Sequence, residues 1–400
     1  MSVTAPAGFV AAGLHAGIKP SGRPDLSLVA TADGRPVPAA AVFTTNRVAA
    51  APVQVSRRHL VDDPHAAAVV LNSGNANAAT GEHGLKVAER TCALVAAGLG
   101  CAPDDVLVCS TGLIGIPMDP APVEAGVPRL VEARAGTPEA AGSAAQAIMT
   151  TDTASKEAVA LATLTGGGTI TVGGMAKGAA MLSPAMATML AVLTTDAAVE
   201  PRALHEALTR AVDASFNLLT TDGARSTNDT VILLASGASG GDPIGFGGAD
   251  LHILTEAVTE VCVSLADQMA SDAEGATKFI RVRVRGARSK EEARRAARAV
   301  AESQLVKCSL FGGDPYWGRV LSELGASGSY LEPHRVDIAY GGVTVCVGGE
   351  VAPHDGAALA KVMTGREIDV TCDLRLGLGE AVVTTVDLTP AYIDENMTTS

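Results

Sequence analysis

Lys177–Asp196, with the sequence KGAAMLSPAMATMLAVLTTD, is the stretch on which the predicted fold depends. A loop of small residues and proline leads to Ala187 and Thr188, and the apolar run Met189–Leu193 that follows is short enough for a buried strand. A hydroxyl at the start of such a strand is held rigidly, and a strained loop before it suits a chain that cleaves itself before Thr188. The freed Thr188 would then hold nucleophile and base together, because its α-amine can accept the hydroxyl proton. An ordinary strand start is the alternative.

Composition places the chain among globular proteins whose core is filled by small aliphatic side chains. Its 400 residues suffice for two or three domains' worth of core. Hydrophobic residues make up 47% of the sequence and aromatic residues only 3%, so Ala, Val and Leu must fill the interior. The formal net charge of −13 argues against nucleic acid or an anionic membrane as a partner, because both are polyanionic.

The sequence shows no targeting, membrane or metal-binding signal. Met1–Ala12 lacks the basic and apolar regions of a signal peptide, and no apolar run approaches the roughly 18 residues of a membrane span. The 7 cysteines lack Cys-x-x-Cys spacing, which favours a reducing cytoplasm. No two of the 8 histidines have metal-ligand spacing, so we expect neither a metal nor another cofactor. The cysteines predicted to be small core residues are Cys92, Cys262, Cys308, Cys346 and Cys372.

Apolar runs and turn residues predict a layered α/β or α+β architecture. Predicted strands are Leu26–Ala30, Ala40–Phe43, Ala66–Leu71, Val106–Val108, Lys156–Thr163, Thr169–Gly173, Met189–Leu193, Val231–Ala235, Phe279–Val284, Arg335–Tyr340, Val343–Val347, Glu367–Leu374 and Ala381–Leu388. Predicted helices are Leu85–Leu99, one that begins at Thr137, Pro201–Val212, Leu251–Met269, one from Ser289 to Gln304, and one near Gly356–Met363. We expect a loop at Gly8–Lys19, and another at Ser236–Asp250 that is a candidate domain border.

Three polar runs follow predicted strands or helices, where α/β proteins place binding groups. They are Asn72–Asn77, Cys109–Gly115 and Ile148–Asp152. In Cys109–Gly115, small residues can aim a hydroxyl and backbone N–H groups at one point, the geometry that an oxyanion needs. A surface turn is the alternative for Asn72–Asn77, and a strand-end turn is the alternative for Cys109–Gly115.

Seven stretches in order resemble the ornithine acetyltransferases of the cyclic arginine pathway, and together they span most of the chain. They are Asn72–Gly81, Ser110–Gly115, Ile148–Asp152, Met175–Leu190, Ser226–Thr230, Asp272–Lys278 and Gly313–Val320. The resemblance implies an N-terminal-nucleophile fold with β-sheets sandwiched between helices. It also implies a precursor cleaved between Ala187 and Thr188 into two intertwined chains, residues 1–187 (alpha) and 188–400 (beta). Two of each would form a heterotetramer.

The resemblance also implies the site. Thr188 corresponds to the nucleophile, and Thr111 with Gly112 to the oxyanion hole. The substrate-binding residues would be Thr151, Lys177, Thr188, Glu274, Asn396 and a hydroxyl at the C-terminus. Thr150 is an alternative to Thr151, and Ser400 is preferred to Thr399 for the terminal hydroxyl. Without the resemblance, Lys177 would be read as a solvated loop charge and Glu274 as a helix-end charge.

Several positions depart from the family pattern. Ala180 stands where the family often has Gly, and Ala185 where it often has Asn. If position 180 requires a positive φ, Ala would strain the turn by about 1–2 kcal/mol. The C-terminal tail after Asn396 is one residue shorter than usual.

The implied reaction moves the acetyl group of N2-acetyl-L-ornithine to L-glutamate through an acetyl-Thr188 ester, and some relatives also use acetyl-CoA as donor. One alternative is an amidohydrolase or aminopeptidase of the same self-cleaving fold, in which water replaces glutamate. Another is a self-cleaving protein that only binds amino acids.

Overall fold

The structure is a computed structural model and describes residues 2–181 and 189–397. Its strands are β1 (Phe9–Leu14), β2 (Leu26–Thr31), β3 (Val37–Phe43), β4 (His65–Ala66), β5 (Ala68–Asn75), β6 (Val106–Leu113), β7 (Lys156–Thr163), β8 (Thr169–Lys177), β9 (Leu190–Thr195), β10 (Thr230–Ala235), β11 (Phe279–Ala287), β12 (Asp337–Tyr340), β13 (Val343–Val347), β14 (Glu350–Val351), β15 (Glu367–Asp373) and β16 (Gly379–Val386). Its helices are α1 (Ala51–Asp62), α2 (Gly81–Leu99), α3 (Ala121–Glu132), α4 (Pro138–Ala147), α5 (Pro201–Ala214), α6 (Ala249–Ser271), α7 (Lys290–Glu302), α8 (Gln304–Phe311), α9 (Trp317–Ala326), α10 (Gly356–Thr364) and α11 (Pro390–Asn396).

Two sheets stack face to face at the centre of the molecule. The first has the strand order β1-β2-β5-β6 and the second β4-β3-β10-β9-β8-β7. Because side chains alternate between the faces of a strand, each sheet sends one set of apolar residues into the shared core. Val69 and Leu107 come from the first sheet, and Val192 and Ile232 from the second.

Helices cover the outer faces of this stack. Helices α1, α2 and α3 pack on the first sheet, and α5 and α6 pack on the second. The buried Ala203, Ala207 and Ala211 of α5 recur every four residues, as one apolar helical face requires. Such small side chains fill the core that the low aromatic content implied. The predicted sandwich of β-sheets between helices is therefore confirmed.

A third sheet, of order β14-β13-β12-β15-β11-β16, carries α7, α8, α9 and α10 on one face. The other face of β11 is solvated and carries arginines at alternate positions. Arg281, Arg283 and Arg285 pair there with Glu367, Glu380 and Asp373, respectively.

Some sequence predictions were wrong. Gly8–Lys19 is not all loop, because Phe9–Leu14 forms β1 and pairs with β2. Its Ala and Gly residues had hidden the alternation of a strand. The helix from Ser289 ends at Glu302, since Ser303 is extended and caps α8 instead. Cys308 is exposed on α8 rather than buried in the core.

The loop at 236–250 is present but marks no domain border. It joins β10 to α6, and both elements contribute to the same core beside the second sheet. Within the described ranges, no helix combines the length and the apolarity needed to cross a bilayer.

We expect Gly13→Ala to destabilise the stacked sheets. A Cβ at residue 13 would lie 2.0 Å from the carbonyl oxygen of Ser143 in α4, so β1 and α4 must separate. Overpacking of this kind typically costs about 1–3 kcal/mol of unfolding free energy, measurable by urea denaturation. Gly168→Ala is the matched control, because a Cβ there meets nothing within 4 Å. Equal stability of both variants would contradict the close packing.

Candidate active site

The predicted cleavage junction directly precedes β9. Leu190 of β9 pairs with Lys177 of β8 in the antiparallel ladder, so the chain leaves one strand and returns beside it. Ala187, Thr188, Thr399 and Ser400 lie outside the described residues, and their roles stay predictions.

Met189, the residue after Thr188, is anchored through both its backbone N–H and its backbone carbonyl. The Met189 N–H donates to Oδ1 of Asp229 at 3.1 Å, and the Thr230 N–H donates to the Met189 carbonyl, also at 3.1 Å. Because β9 and β10 are parallel neighbours inside the second sheet, this anchor fixes the start of β9.

Asp229 is a buried group to which the sequence analysis gave no role. The side chain is fully buried, and burial raises its pKa well above the usual range, which favours the neutral acid. Its Oδ2 has no hydrogen-bond partner among the described residues. In the sequence, Asp229 is simply an acidic residue just before an apolar run. That pattern does not distinguish a buried carboxyl group from an exposed turn residue.

Thr111 and Gly112 lie at the end of β6, where the register of the β5–β6 ladder shifts. Gly112 has φ +133°, and a Cβ there would lie 2.4 Å from the carbonyl carbon of Gly74, so only glycine fits. Ser110, the residue before Thr111, is tied to the segment that leads into β10 of the second sheet. Nδ2 of Asn228 in that segment donates to the Ser110 carbonyl at 2.8 Å. Both stacked sheets thus contribute to one site.

The side chain of Lys177 contacts the side chain of Thr111 directly. Its Nζ donates to Oγ1 of Thr111 at 3.3 Å, and its side chain is 2% exposed. Burial lowers the pKa of Lys177, while the Asp152 carboxylate opposes that shift. Lys177 is therefore a buried strand-end cation and not the solvated loop charge of the alternative.

Asp152 joins the strand end to the hydroxyl-rich turn Thr150–Thr153. It accepts the Gly178 N–H at 2.8 Å, the Thr150 N–H at 2.9 Å and Nζ of Lys156 at 2.6 Å. Burial alone would raise the pKa of Asp152, but the ammoniums of Lys177 and Lys156 outweigh it and hold the pKa below its usual range.

The buried Lys156 completes this cluster with Asp272, at the end of α6. It forms ion pairs with Asp152 and Asp272, and Asp272 also accepts the Thr153 N–H at 3.0 Å. Asp152, Lys156 and Asp272 were missed as site residues, because only the tertiary fold brings them together.

Thr151 and Glu274 line one cavity of about 520 Å³, which we call the acidic cavity. Thr150 lines it too, so the choice between Thr150 and Thr151 stays open. Asn396 of α11 contacts the cavity wall through Glu274, because its Nδ2 donates to Oε2 of Glu274 at 2.8 Å. Among the described residues, no hydrogen bond joins this group to the buried Thr111–Lys177 pair. The acidic side chains that line the cavity are Asp272, Glu274 and Glu395.

Helix α11 is held close to Glu274. Gly275 has φ +62°, and a Cβ there would lie 2.3 Å from the Tyr392 nitrogen. Asp222 links the same helix to the loop after β8, because its Oδ2 accepts both the Tyr392 hydroxyl at 3.3 Å and the Met181 N–H at 2.6 Å. In the described part of that loop, Gly178 (φ +158°) and Met181 (φ +54°) have a positive φ, whereas Ala180 does not. Ala180 therefore does not carry the strain that a positive φ would impose.

Comparisons with known proteins agree on one family. A sequence profile described as the ArgJ family matches residues 10–399. The arginine biosynthesis bifunctional protein ArgJ of Symbiobacterium thermophilum is 47% identical over 98% of this chain and 97% of its own length. The protein of the same name from Mycolicibacterium paratuberculosis is 49% identical, over 98% of this chain and 95% of its own. The solved structure of ArgJ from Bacillus halodurans matches 51% of this chain and 95% of that chain, with 32% identity and a TM-score of 0.49.

We expect Asp152→Asn to lower the free energy of unfolding by about 3–5 kcal/mol near neutral pH, because Lys156 and Lys177 lose a buried counter-charge. The pKa of Asp152 is lower in the folded protein than in the unfolded chain. Its stabilisation is therefore present above the unfolded value of about 3.9 and is lost as the pH falls through the folded value.

Urea denaturation of wild type and variant at several pH values tests this dependence. The gap between them should narrow as the medium becomes more acidic than about pH 4. The exposed Asp33→Asn is the control and should stay within about 0.5 kcal/mol of wild type. A gap that widens in acid would contradict the assigned charge.

Proposed function

The chain belongs to the ArgJ family, and on that premise we propose that it transfers the acetyl group of N2-acetyl-L-ornithine to L-glutamate in arginine biosynthesis. The observation that supports this most is the Lys177–Thr111 hydrogen bond beside the start of β9. An ammonium has only donors, so Thr111 is the acceptor in that bond. The hydroxyl hydrogen of Thr111 is then left to donate to a developing oxyanion.

We propose that the precursor cleaves itself between Ala187 and Thr188. Residues 1–187 would keep β8 with Lys177, and residues 188–400 would begin just before β9. Because β8 and β9 are hydrogen-bonded neighbours within the second sheet, the two pieces would stay associated after cleavage. Two alpha and two beta chains then form the proposed heterotetramer.

The proposed reaction has two acyl-transfer steps. Oγ of Thr188 attacks the acetyl carbonyl carbon, and the α-amine of Thr188 takes the hydroxyl proton. The Thr111 hydroxyl and the Gly112 N–H stabilise the oxyanion, an effect worth roughly 3–4 kcal/mol per donor. The C–N bond breaks, ornithine leaves with the proton, and the acetyl group remains on Thr188 as an ester. The amine of glutamate then attacks the ester carbonyl carbon, and the bond between that carbon and Oγ breaks. A proton from the attacking amine returns to Oγ through the α-amine of Thr188, which releases N-acetyl-L-glutamate and free Thr188.

N2-acetyl-ornithine and glutamate both carry an α-carboxylate, so one set of contacts to that group can serve both substrates. We propose Lys177 for a carboxylate and Glu274 for an ammonium, with Thr151, Asn396 and Ser400 as hydrogen-bonding partners, or Thr399 in place of Ser400. Glu274 faces the acidic cavity, and Asn396 bonds to it. The relatives are named bifunctional, and acetyl-CoA is the second donor that we propose.

Purified wild-type protein should consist of two co-purifying pieces, the second starting Thr-Met-Leu-Ala. Thr188→Ala should abolish both cleavage and transfer, because the hydroxyl is lost, whereas Thr188→Ser should keep some of each. N-terminal sequencing and an acetyl-transfer assay measure the two effects. A fully active preparation that contains only the intact 40.2 kDa chain would contradict the proposed self-cleavage.

The transfer should follow ping-pong kinetics, since one nucleophile serves donor and acceptor in turn. Thr111→Ala should lower kcat by about 10²–10³ with little change in KM, because its contact forms in the transition state. Thr111→Ser is the matched control and should keep most of the activity.

Three outcomes count against this scheme. Intersecting double-reciprocal lines would replace the acetyl-enzyme with a ternary complex. A large rise in KM for Thr111→Ala would assign Thr111 to substrate binding. Acetyl-ornithine consumption that does not depend on glutamate would favour the amidohydrolase.

A further inference from the structure

A second cavity, of about 550 Å³, adjoins the acidic cavity. We call it the basic cavity, because Lys19 and Arg23 line it. Arg23 and the threonines at positions 150, 151 and 153 line both cavities, and Asp152, which is paired with Lys156, lines the basic cavity alone. The two cavities therefore share a wall of threonine hydroxyls but differ in the balance of charge. Three carboxylates and Arg23 line the acidic cavity, whereas Lys19, Arg23 and the paired Asp152 line the basic cavity.

The loop that carries Lys19 and Arg23 is rigidly built. The buried Asp25 carboxylate accepts four successive backbone N–H groups, at distances of 2.6, 3.1, 2.7 and 2.9 Å. These donors belong to Ala16, Gly17, Ile18 and Lys19. Such a cradle fixes the backbone beside the cavity without using either cationic side chain.

Both cations have capacity to bind an anion. Nζ of Lys19 donates to the carbonyls of Met149 at 2.6 Å and Pro24 at 2.8 Å, which leaves one of its three N–H groups. In the described part of the chain, neither Lys19 nor Arg23 forms an ion pair. Burial lowers the pKa of Lys19 to about 8, against the opposing effect of Asp25. An anion in the cavity would stabilise its charged form.

The basic cavity lies close to the proposed oxyanion hole. A Cβ on Gly74 would lie 2.9 Å from Cγ of Lys19, and one on Gly112 would lie 2.4 Å from the Gly74 carbonyl carbon. The stem of Lys19 therefore packs against the strand end that neighbours the proposed oxyanion hole.

We propose that the basic cavity is a separate subsite for the side-chain carboxylate of the acceptor, bound by Arg23 and Lys19, while the acidic cavity takes the side-chain ammonium of the donor. This inference rests on the proposed transfer from N2-acetyl-ornithine to glutamate. The two substrates share an α-carboxylate but end in opposite charges. A cavity lined by Asp272, Glu274 and Glu395 suits the ammonium and repels a carboxylate. The acceptor therefore turns its side chain to the other side of the Thr150–Thr153 wall.

The test measures the two half-reactions separately on the processed enzyme. Acetylation of Thr188 by N2-acetyl-ornithine is followed first, and transfer from acetyl-enzyme to glutamate or to glutamine second. Arg23→Gln should slow transfer to glutamate by about ten- to a hundredfold, as expected for loss of a charge-assisted hydrogen bond. Acetylation should not slow, because Arg23 also borders the acidic cavity and its removal takes away a positive charge that repels the donor's ammonium. The preference for glutamate over glutamine should fall by the same factor as the glutamate rate.

Two variants serve as controls. Arg23→Lys keeps the charge and should retain most of the preference for glutamate. Arg90→Gln removes another exposed arginine, which pairs with Glu124 between α2 and α3, and should leave both half-reactions unchanged.

Several results would overturn the subsite. Equal slowing of both half-reactions by Arg23→Gln would assign Arg23 to the shared α-carboxylate, and an unchanged glutamate preference would remove it from recognition. Selective slowing of acetylation by acetyl-CoA would assign the cavity to the phosphates of the coenzyme. A wild-type enzyme that forms acetyl-Thr188 but transfers nothing to glutamate would instead refute the proposed function itself.

Discussion

The balance of buried charge around Lys177 is the constraint on which the site depends. Two ammoniums, Lys156 and Lys177, and the carboxylate of Asp152 are almost completely buried, and Asp272 is largely so. An uncompensated buried charge is costly, so these groups can occupy the interior only together. Their hydrogen bonds join the end of β8, the turn Thr150–Thr153 and the end of α6. The same cluster holds Lys177 against Thr111 and keeps the turn between the two cavities.

The order of elements along the chain explains how a cleaved precursor would remain one enzyme. Thr111, Thr151 and Lys177 precede the proposed junction, while Asp229, Glu274 and Asn396 follow it. The second sheet takes strands from both sides of the junction, whereas all four strands of the first sheet precede it, so neither piece contains the whole site. Cleavage would free the amine of Thr188 without releasing the start of the second piece, because Met189 stays hydrogen-bonded to Asp229 and Thr230.

The sequence predicted the layered fold well and the charge network poorly. Long periodic segments such as Pro201–Val212 and Leu251–Met269 were helices, because one apolar face is enough to identify them. β1 was missed, since Ala and Gly carry little alternation. Lys156 pairs with both Asp152 and Asp272. Because Asp272 lies 116 positions from Lys156 along the chain, no local sequence pattern predicts that contact. The family resemblance supplied Thr111, Lys177 and Glu274, whereas the residues that hold them became visible only in the structure.

The most direct test of the central claim is mass spectrometry of the processed enzyme after incubation with N2-acetyl-ornithine alone. We expect one acetyl group on the fragment that begins at Thr188, with the ester on that residue. Addition of glutamate should remove the group and yield an equal amount of N-acetylglutamate. Formation of N-acetylglutamate on mixing both substrates, with no acetylated fragment detectable at any time during turnover or with donor alone, would contradict an acetyl-enzyme.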